Sequence, residues 1–343
     1  MRNWIVVGLL SLVFCSCNTD VDLYADYKDI PVVYGLIDAQ ADTNFIKITK
    51  AYCGTNDDPI NANEVALIYD SSNYPCKLNT YIEELKSVSG QAFQPTGRRL
   101  QLDTLTIHNK AEGDFYSPDQ LLYYTTARFN TNDANNKYRY KLNVVKLDGD
   151  TATAETSVLG GNISIGASQV TFYSGSTPQT GSFMFRATEE AVLYEFGMRF
   201  NYYETHPGQP TEQKQVAWSM GAKPLEAYEK VAGTENVYEV YYSANTLFNL
   251  LERVIGADTV WDDNHPNVIR HIDDFEVFVS ASAEDFHIFY QSLQHGLSLS
   301  TEYSNVKGGC GLFSSRIYVK KIAQLSSSTK YHLFCKPWGF VEN

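Results

Sequence analysis

The stretch from Asp258 to Asp274 holds the densest set of side chains that could bind a metal ion or move protons. Its carboxylates and imidazoles are those of Asp262, Asp263, His265, His271, Asp273 and Asp274. The calcium-loop spacing Asp-x-Asp-x-Asp-Gly and the zinc motif His-Glu-x-x-His are both absent from the sequence. We therefore interpret the stretch as a solvated loop and predict neither a metal ion nor another cofactor. Trp261 is retained as a candidate contact for a partner.

Four pairs of adjacent carboxylates could suggest a glycosidase. The pairs are Asp57-Asp58, Glu83-Glu84, Glu189-Glu190 and Asp273-Asp274. A glycosidase needs two carboxyls about 5–10 Å apart across a cleft, whereas neighbours in a strand point to opposite faces. The serine-hydrolase motif Gly-x-Ser-x-Gly is also absent. We therefore predict no catalytic residues and no enzyme, and we keep a hydrolase of glycans or peptides as an alternative.

Three glycines fall within four positions near the end of the chain, at Gly308, Gly309 and Gly311. Glycine lets two backbones approach closely and takes positive φ values that a Cβ disfavours. The pattern predicts a tight turn that anchors Phe313 in the core. The alternative is that the glycines form the rim of a partner surface, to which Trp261 could also belong. A phosphate-binding loop is not indicated, because no Gly-Lys-Ser/Thr follows.

Cys17 follows a leader with the layout of a bacterial signal peptide. Arg2 is basic, and the apolar run from Trp4 to Phe14 is too short to span a membrane. A small residue, Ser16, precedes Cys17, and this arrangement resembles the lipobox of bacterial lipoproteins. The resemblance implies cleavage after residue 16 and acylation of Cys17. Two or three acyl chains, at about 0.8 kcal/mol per buried CH₂, hold a protein stably at a membrane.

The residues after Cys17 predict where the anchored protein lies. Asp20 and Asp22 follow closely, which resembles the signal that sends Bacteroidota lipoproteins to the outer face of the outer membrane. We expect a signal peptide over 1–16 and an acylated tether over 17–29, with the body at the cell surface. An ordinary secretory signal and a short anchor helix are the alternatives.

Four more cysteines remain if Cys17 is acylated, and Cys15 belongs to the leader. They are Cys53, Cys76, Cys310 and Cys335. An even number in an oxidising compartment allows two disulfides with three connectivities. We favour Cys53–Cys76 and Cys310–Cys335, since each pair joins positions within one half of the chain. Four buried free thiols are the alternative.

The composition of the chain limits which fold classes and which partners are possible. The chain has 343 residues and a formal net charge of −13, and its longest basic clusters are single Arg-Arg and Lys-Lys pairs. Such a body repels phosphate backbones, so we exclude nucleic acid as a partner. The 24 tyrosines and 18 phenylalanines, set among alternating valines and threonines, are typical of strands rather than helices. The predicted fold class is mainly β.

The first half of the body, residues 30–160, is predicted to be an immunoglobulin-like β-sandwich. Its seven predicted strands are Ile30–Ile37, Asn44–Tyr52, Lys77–Leu85, Arg99–Ile107, Leu121–Phe129, Tyr138–Leu147 and Thr151–Val158. Short strands with regular turn signals, among them Asp148-Gly149, are typical of such a sandwich. A transthyretin-like sandwich would produce much the same pattern.

The second half, residues 161–343, is predicted to be an antiparallel β domain with two short helices. Residues 191–205 alternate apolar and polar side chains, which predicts a half-buried strand. Apolar stripes at helical spacing predict helices over residues 245–255 and 283–294. Lys330–Phe340 is predicted to be a strand that closes the sheet.

The segment from Tyr303 to Arg316 resembles a domain-of-unknown-function family of Bacteroidota outer-membrane lipoproteins. The matching positions are Ser304, Asn305, Gly308, Gly309, Gly311 and Phe313. The resemblance implies a two-part β body, frequent proximity to TonB-dependent transporters, and no assigned catalytic residues. We therefore expect a lipid-anchored, non-enzymatic protein that binds a glycan, a peptide or a neighbouring TonB-dependent transporter. A fimbrillin-like structural or adhesin subunit is the first alternative, and the hydrolase is the second.

Overall fold

The computed structural model describes residues 28–51, 62–113, 116–256, 261–262, 265–266, 268–294 and 303–342. For residues 62–63, 261–262 and 265–266 it describes the backbone alone. The predicted signal peptide, Cys17 and Cys53 lie outside the described residues.

The protein is mainly β, as predicted, and its elements fall into two halves. The N-terminal half comprises β1 (Pro31–Ile37), β2 (Asn44–Lys50), α1 (Ala62–Ala66), α2 (Tyr69–Ser72), β3 (Asn79–Val88), β4 (Gln94–Gln101), β5 (Asp103–Ile107), β6 (Gln120–Thr125), β7 (Asn136–Val145) and β8 (Thr151–Ser157).

The C-terminal half begins with several short strands and then forms long ones. It comprises β9 (Ser164–Ile165), β10 (Gln169–Val170), β11 (Tyr173–Ser174), β12 (Thr177–Pro178), β13 (Thr180–Arg186), β14 (Leu193–Thr205), β15 (Glu212–Pro224), a 3₁₀ turn (Leu225–Ala227), β16 (Glu229–Lys230), β17 (Val237–Ser243), α3 (Ala244–Val254), β18 (Trp261–Asp262), β19 (His265–Pro266), β20 (Ile269–Ser282), α4 (Glu284–Gln294), β21 (Cys310–Leu325) and α5 (Ser327–Phe334).

The N-terminal half is a two-sheet sandwich with immunoglobulin-like strand order. One sheet runs β4-β3-β7-β8, and the opposing strands run β1-β2-β6-β5. With the eight strands lettered A, B, C, C′, D, E, F and G, the sheets read C′-C-F-G and A-B-E-D. Tyr140 on the F strand accepts a hydrogen bond from the Asn130 amide at 2.7 Å, as the tyrosine corner of such sandwiches does. The predicted immunoglobulin-like sandwich is therefore confirmed.

One predicted strand, Arg99–Ile107, is in fact two strands on different sheets. β4 belongs to the first sheet and β5 to the second, and Leu102 between them is fully buried. The apolar positions change phase at this crossing, because Leu100 and Leu102 are buried on one alternation whereas Leu105 of β5 lies on the other and is exposed. The prediction of a single strand overlooked this change.

The C-terminal half packs the sheet β16-β17-β13-β9 against the strands β15-β14-β20-β21. The alternating side chains of β14 lie in its core, as predicted. They are Tyr194, Phe196, Met198, Phe200 and Tyr202. Both predicted helices, α3 and α4, also form within one residue of their expected bounds.

β21 joins the two halves into one continuous sheet. Its residues 310–315 pair in parallel with β1, and its residues 316–323 pair antiparallel with β20. The long sheet therefore runs β15-β14-β20-β21-β1-β2-β6-β5. One apolar cluster holds side chains between Val33 and Val158 together with Val306 and Phe313, and the other holds side chains between Leu159 and Phe340. The N-terminal core is thus completed by residues from near the end of the chain.

The glycine run lies where β21 meets β1. Gly311 has φ +106°, and a Cβ there would lie 2.0 Å from the carbonyl oxygen of Val33. Phe313, two residues later, is fully buried in the N-terminal core. The predicted role of this run, a close backbone approach that anchors Phe313, is confirmed.

The predicted strand Lys330–Phe340 is wrong, because residues 327–334 form helix α5. Ser326 caps this helix by accepting a hydrogen bond from the Thr329 amide at 3.3 Å. The hydroxyl of Thr329, which is buried, accepts hydrogen bonds from the amides of Phe172 and Tyr173 at 2.9 and 3.2 Å. Contacts distant in sequence therefore hold this helix in place.

Candidate functional site

Two adjoining depressions, each of about 600 Å³, lie where the two halves of the protein meet. Both are lined by Lys137 of β7 and by Glu189 and Glu190, which belong to the connection between β13 and β14. Lys137 and Glu189 form an ion pair of 3.0 Å at this shared wall. We call the two depressions together the junction cleft.

Nine of the twelve described residues that line the first depression have polar side chains. They are those of Asn132, Asp133, Lys137, Asn162, Arg186, Thr188, Glu189, Glu190 and Asn236. Asparagine amides, carboxylates and guanidinium groups combine hydrogen-bond donors and acceptors in planar groups. This wall can therefore hold a ligand that carries many hydroxyl groups.

Local hydrogen bonds hold the wall of the first depression in place. The side-chain oxygen of Asn132 accepts a hydrogen bond from the Tyr138 amide at 2.6 Å, and its NH₂ group donates to Glu190. Asp133 accepts a side-chain hydrogen bond from Asn136, and the amides of residues 135 and 136 also donate to it. These bonds lower the pKa of Asp133 below its usual range, so it is ionised at neutral pH.

The second depression adds two aromatic rings to the cleft. Phe93 and Tyr138 are half-buried, and the Arg139 guanidinium carbon lies 4.7 Å from the centre of the Phe93 ring. Five carboxylates also line this depression, among them Glu155 and the two at the start of α4. The combination offers an apolar face beside hydrogen-bonding groups.

Glu190 is a carboxyl of the cleft whose pKa is raised. Burial raises its pKa above the usual range, and Lys137 and Ser157 offset part of this effect. Its Oε2 atom is buried and has no hydrogen-bond partner among the residues that the structure describes. A perturbed carboxyl in a cleft is the kind of group that functional sites use.

The cleft as a whole is negative. The described lining residues include six carboxylates against three cations. The carboxylates are Asp133, Glu155, Glu189, Glu190, Glu284 and Asp285, and the cations are Lys137, Arg139 and Arg186. Charge of one sign in a cleft repels ligands of the same sign. The arrangement therefore favours a neutral ligand over an acidic one.

The three glycines predicted to form a partner surface do not line this cleft. Gly308, Gly309 and Gly311 lie at the start of β21, where a Cβ on Gly309 would come within 2.6 Å of the Pro31 carbonyl oxygen. Gly308 is exposed, with its nearest neighbour at 3.6 Å from an added Cβ. The side chain of Trp261 lies outside the described residues. A partner surface at these positions stays a prediction.

The predicted Cys310–Cys335 disulfide is not formed, and Cys53 of the other predicted pair lies outside the described residues. Cys76 and Cys335 are both exposed free thiols, so the alternative of four buried thiols is wrong as well. Cys310 begins β21, and this strand of sixteen residues extends about 50 Å before α5 leads to Cys335. A disulfide joins Cα atoms within about 7 Å, so the Cys310–Cys335 pairing is a wrong prediction on geometric grounds.

The polar stretch 258–274 is partly strand rather than loop. β20 begins at Ile269, and Asp273 and Asp274 form cross-strand hydrogen bonds with Gln213 and Asn201. The side chains of residues 262, 263 and 265 lie outside the described residues. Within the part of the chain that the structure describes, no group of three or more His, Cys, Asp or Glu side chains could hold a metal ion.

Sequence reasoning missed the cleft. The sequence indicated a turn over Asn130 to Asn136 and an adjacent carboxylate pair at Glu189-Glu190. No motif or spacing marked Asn162 or Asn236 as part of a site. Only the packing of the two halves brings these four places together.

A scan against protein-family models and a search of the curated proteins both return no match to this chain. The resemblance to the Bacteroidota lipoprotein family therefore stays a prediction. No helix of the described residues is both long and apolar enough to cross a membrane.

Proposed function

We propose that the protein is a non-enzymatic lipoprotein of the outer membrane that binds a neutral oligosaccharide in the junction cleft. The observation that carries the proposal is the cleft itself, where three asparagine side chains and several carboxylates lie beside Phe93 and Tyr138. Planar polar groups exchange hydrogen bonds with sugar hydroxyls, and aromatic rings pack against the apolar face of a sugar ring.

Size and charge support this choice among the partners that the sequence suggested. Each depression lies within the 300–1,000 Å³ range of small-molecule sites. The excess of carboxylates disfavours acidic glycans and acidic peptides.

A neighbouring TonB-dependent transporter is a second partner, proposed from the sequence resemblance alone, and co-purification from detergent-solubilised outer membranes tests it.

The membrane anchor is proposed to be acyl chains on Cys17. Cells fed an alkyne fatty acid and then lysed would yield a labelled protein that fractionates with the outer membrane. The variant Cys17→Ala is expected to lose the label and keep its signal peptide. Label that persists in Cys17→Ala, or an unlabelled wild-type protein in the cytosol, would contradict the anchor.

Oligosaccharide binding is tested on an array of neutral and acidic glycans, followed by calorimetry with the best neutral ligand. The double variant Asn162→Ala/Asn236→Ala removes two exposed amides from the cleft wall and is expected to weaken binding at least tenfold. The matched control is Asn245→Ala/Asn249→Ala, which removes two exposed amides from α3, away from the cleft. Equal losses in both variants, or a preference for acidic glycans, would contradict the proposal.

Glu190 supports a second candidate, a glycan hydrolase. A carboxyl with a raised pKa in a cleft is able to act as a general acid. Incubating the protein with its best oligosaccharide and measuring new reducing ends separates the two candidates. A binding protein releases none. A hydrolase releases them, and Glu190→Gln would abolish the release while leaving binding intact.

A further inference from the structure

A separate cavity of about 380 Å³ lies on the outer face of the N-terminal sandwich. Val32 and Tyr34 of β1 line one side, and both alternate with the buried Val33, so they point away from the core. Lys47 and Lys50 of β2 line a second side, and Lys110 closes a third. The cavity shares no lining residue with the junction cleft.

The charge of this cavity is opposite to that of the protein as a whole. Three lysines line it, and none of its described lining residues carries a carboxylate. The chain has 40 acidic residues and 27 basic ones. The positive charge of the described cavity wall is therefore opposite in sign to the net charge of the chain.

Lys47 shows how the lysines affect one another. Its side chain is half-buried, and burial together with the nearby Lys110 lowers its pKa from the usual range. Both effects disfavour the charged form of Lys47, whereas a nearby negative charge favours it. An anion that enters the cavity therefore stabilises the charged ammonium group.

The remaining walls are apolar or uncharged. Tyr34 packs edge-on against Phe289 of α4, with ring centres 6.2 Å apart, which holds its ring at the cavity mouth. Tyr116 packs edge-on against Tyr69, with ring centres 5.2 Å apart. An apolar surface of this kind, together with a few polar groups, is what small-molecule pockets offer.

We propose that this cavity binds a small organic anion. Its anionic group contacts Lys47, and its apolar part packs against Val32 and Tyr34. The ligand class is a carboxylate, sulfonate or phosphate on a compact apolar body, and it is independent of the oligosaccharide proposed for the junction cleft.

Calorimetry on the full chain in a non-ionic detergent tests this proposal with two matched probes. Naphthalene-2-sulfonate carries the charge, and naphthalene-2-sulfonamide is its neutral analogue. We expect one sulfonate per chain, with affinity at least tenfold above that of the sulfonamide. Lys47→Met keeps most of the aliphatic stem and is expected to raise the Kd at least tenfold, and Lys50→Met is expected to act in the same direction.

Lys223→Met on the exposed side of β15 is the control and is expected to change the Kd less than twofold. The melting temperature of each variant shows that it is folded, and Lys47→Met should match or exceed the wild type because a half-buried charge is removed. Equal affinity for the two probes, no binding of the sulfonate, or an unchanged Kd in Lys47→Met would each overturn the proposal.

Discussion

Glu84 shows how one residue of a sequence pair can acquire a role that its neighbour lacks. Its carboxylate is buried and accepts hydrogen bonds from Tyr140, Arg98 and Asn130 at 2.8–2.9 Å, and from Thr96 at 3.1 Å. Glu83 points to the other face of β3 and pairs with the exposed Arg99. The sequence predicted that the two side chains diverge, as neighbours in a strand do. It could not predict which of them is buried.

We expect Glu84→Ala to lower the free energy of unfolding by about 3 kcal/mol, because it takes the acceptor from the buried Tyr140 hydroxyl and breaks the ion pair with Arg98. The matched control, Glu83→Ala, is expected to cost less than about 1 kcal/mol, as exposed ion pairs do. Urea unfolding followed by circular dichroism measures both values. Equal losses in the two variants would show that the buried network adds nothing.

The same residue predicts a pH dependence. Burial alone would raise the pKa of Glu84, but hydrogen bonds from Tyr140, Arg98, Thr96 and Asn130 together hold it below the usual range. Its folded pKa is therefore lower than its unfolded pKa of about 4.3. The stability it contributes is present above pH 4.3 and is lost as the pH falls through the folded pKa. The difference in urea midpoint between wild type and Glu84→Ala should hold from pH 7 to pH 5 and shrink below pH 4.

At the scale of elements, Gly311 sets how closely β21 approaches β1. We expect Gly311→Ala to lower the free energy of unfolding by about 3 kcal/mol or more, because the new Cβ meets the Val33 carbonyl and φ is positive. Gly149→Ala is the matched control, since it has φ +90° with nothing within 4 Å of the added Cβ. Its expected cost is about 1 kcal/mol. Chemical denaturation compares the two, and similar costs would contradict the close approach.

The elements that the sequence predicted correctly are those with local patterns. α3 and α4 have apolar stripes, and β14 alternates over its length, so their positions follow from neighbours in the chain. α5 has no such stripe and is held by Thr329, whose partners lie more than 150 residues earlier. The parallel pairing of β21 with β1 joins positions that are still further apart in sequence, and no local pattern could predict it.

At the scale of the whole molecule, the shared strand β21 makes the N-terminal sandwich depend on the end of the chain. Fragment 28–160 lacks Val306 and Phe313 of its own core and leaves one edge of β1 without a partner. We expect this fragment to give a ¹H–¹⁵N spectrum with poor dispersion of its amide proton shifts, as an unfolded chain does. Joining residues 303–316 to it through a flexible linker should restore a dispersed spectrum. A well-dispersed spectrum from 28–160 alone would contradict the dependence.

The candidate site also belongs to this scale, which explains why sequence reasoning missed it. Asn132, Asn162 and Asn236 come from three separate connections, and the cleft exists only because two sandwiches meet along a common sheet. The fold class and the immunoglobulin-like half followed from composition and turn spacing. The chemistry of the cleft required the arrangement of the halves.

Oligosaccharide binding in the cleft is tested most directly by the side-chain amide resonances of Asn132, Asn162 and Asn236. The protein is labelled with ¹⁵N, and the best neutral ligand from the array is added in steps. The account predicts that these three pairs of signals shift together and saturate with one ligand per chain, while those of Asn245 and Asn249 stay fixed. Saturable binding that leaves the three cleft amides unmoved would contradict it.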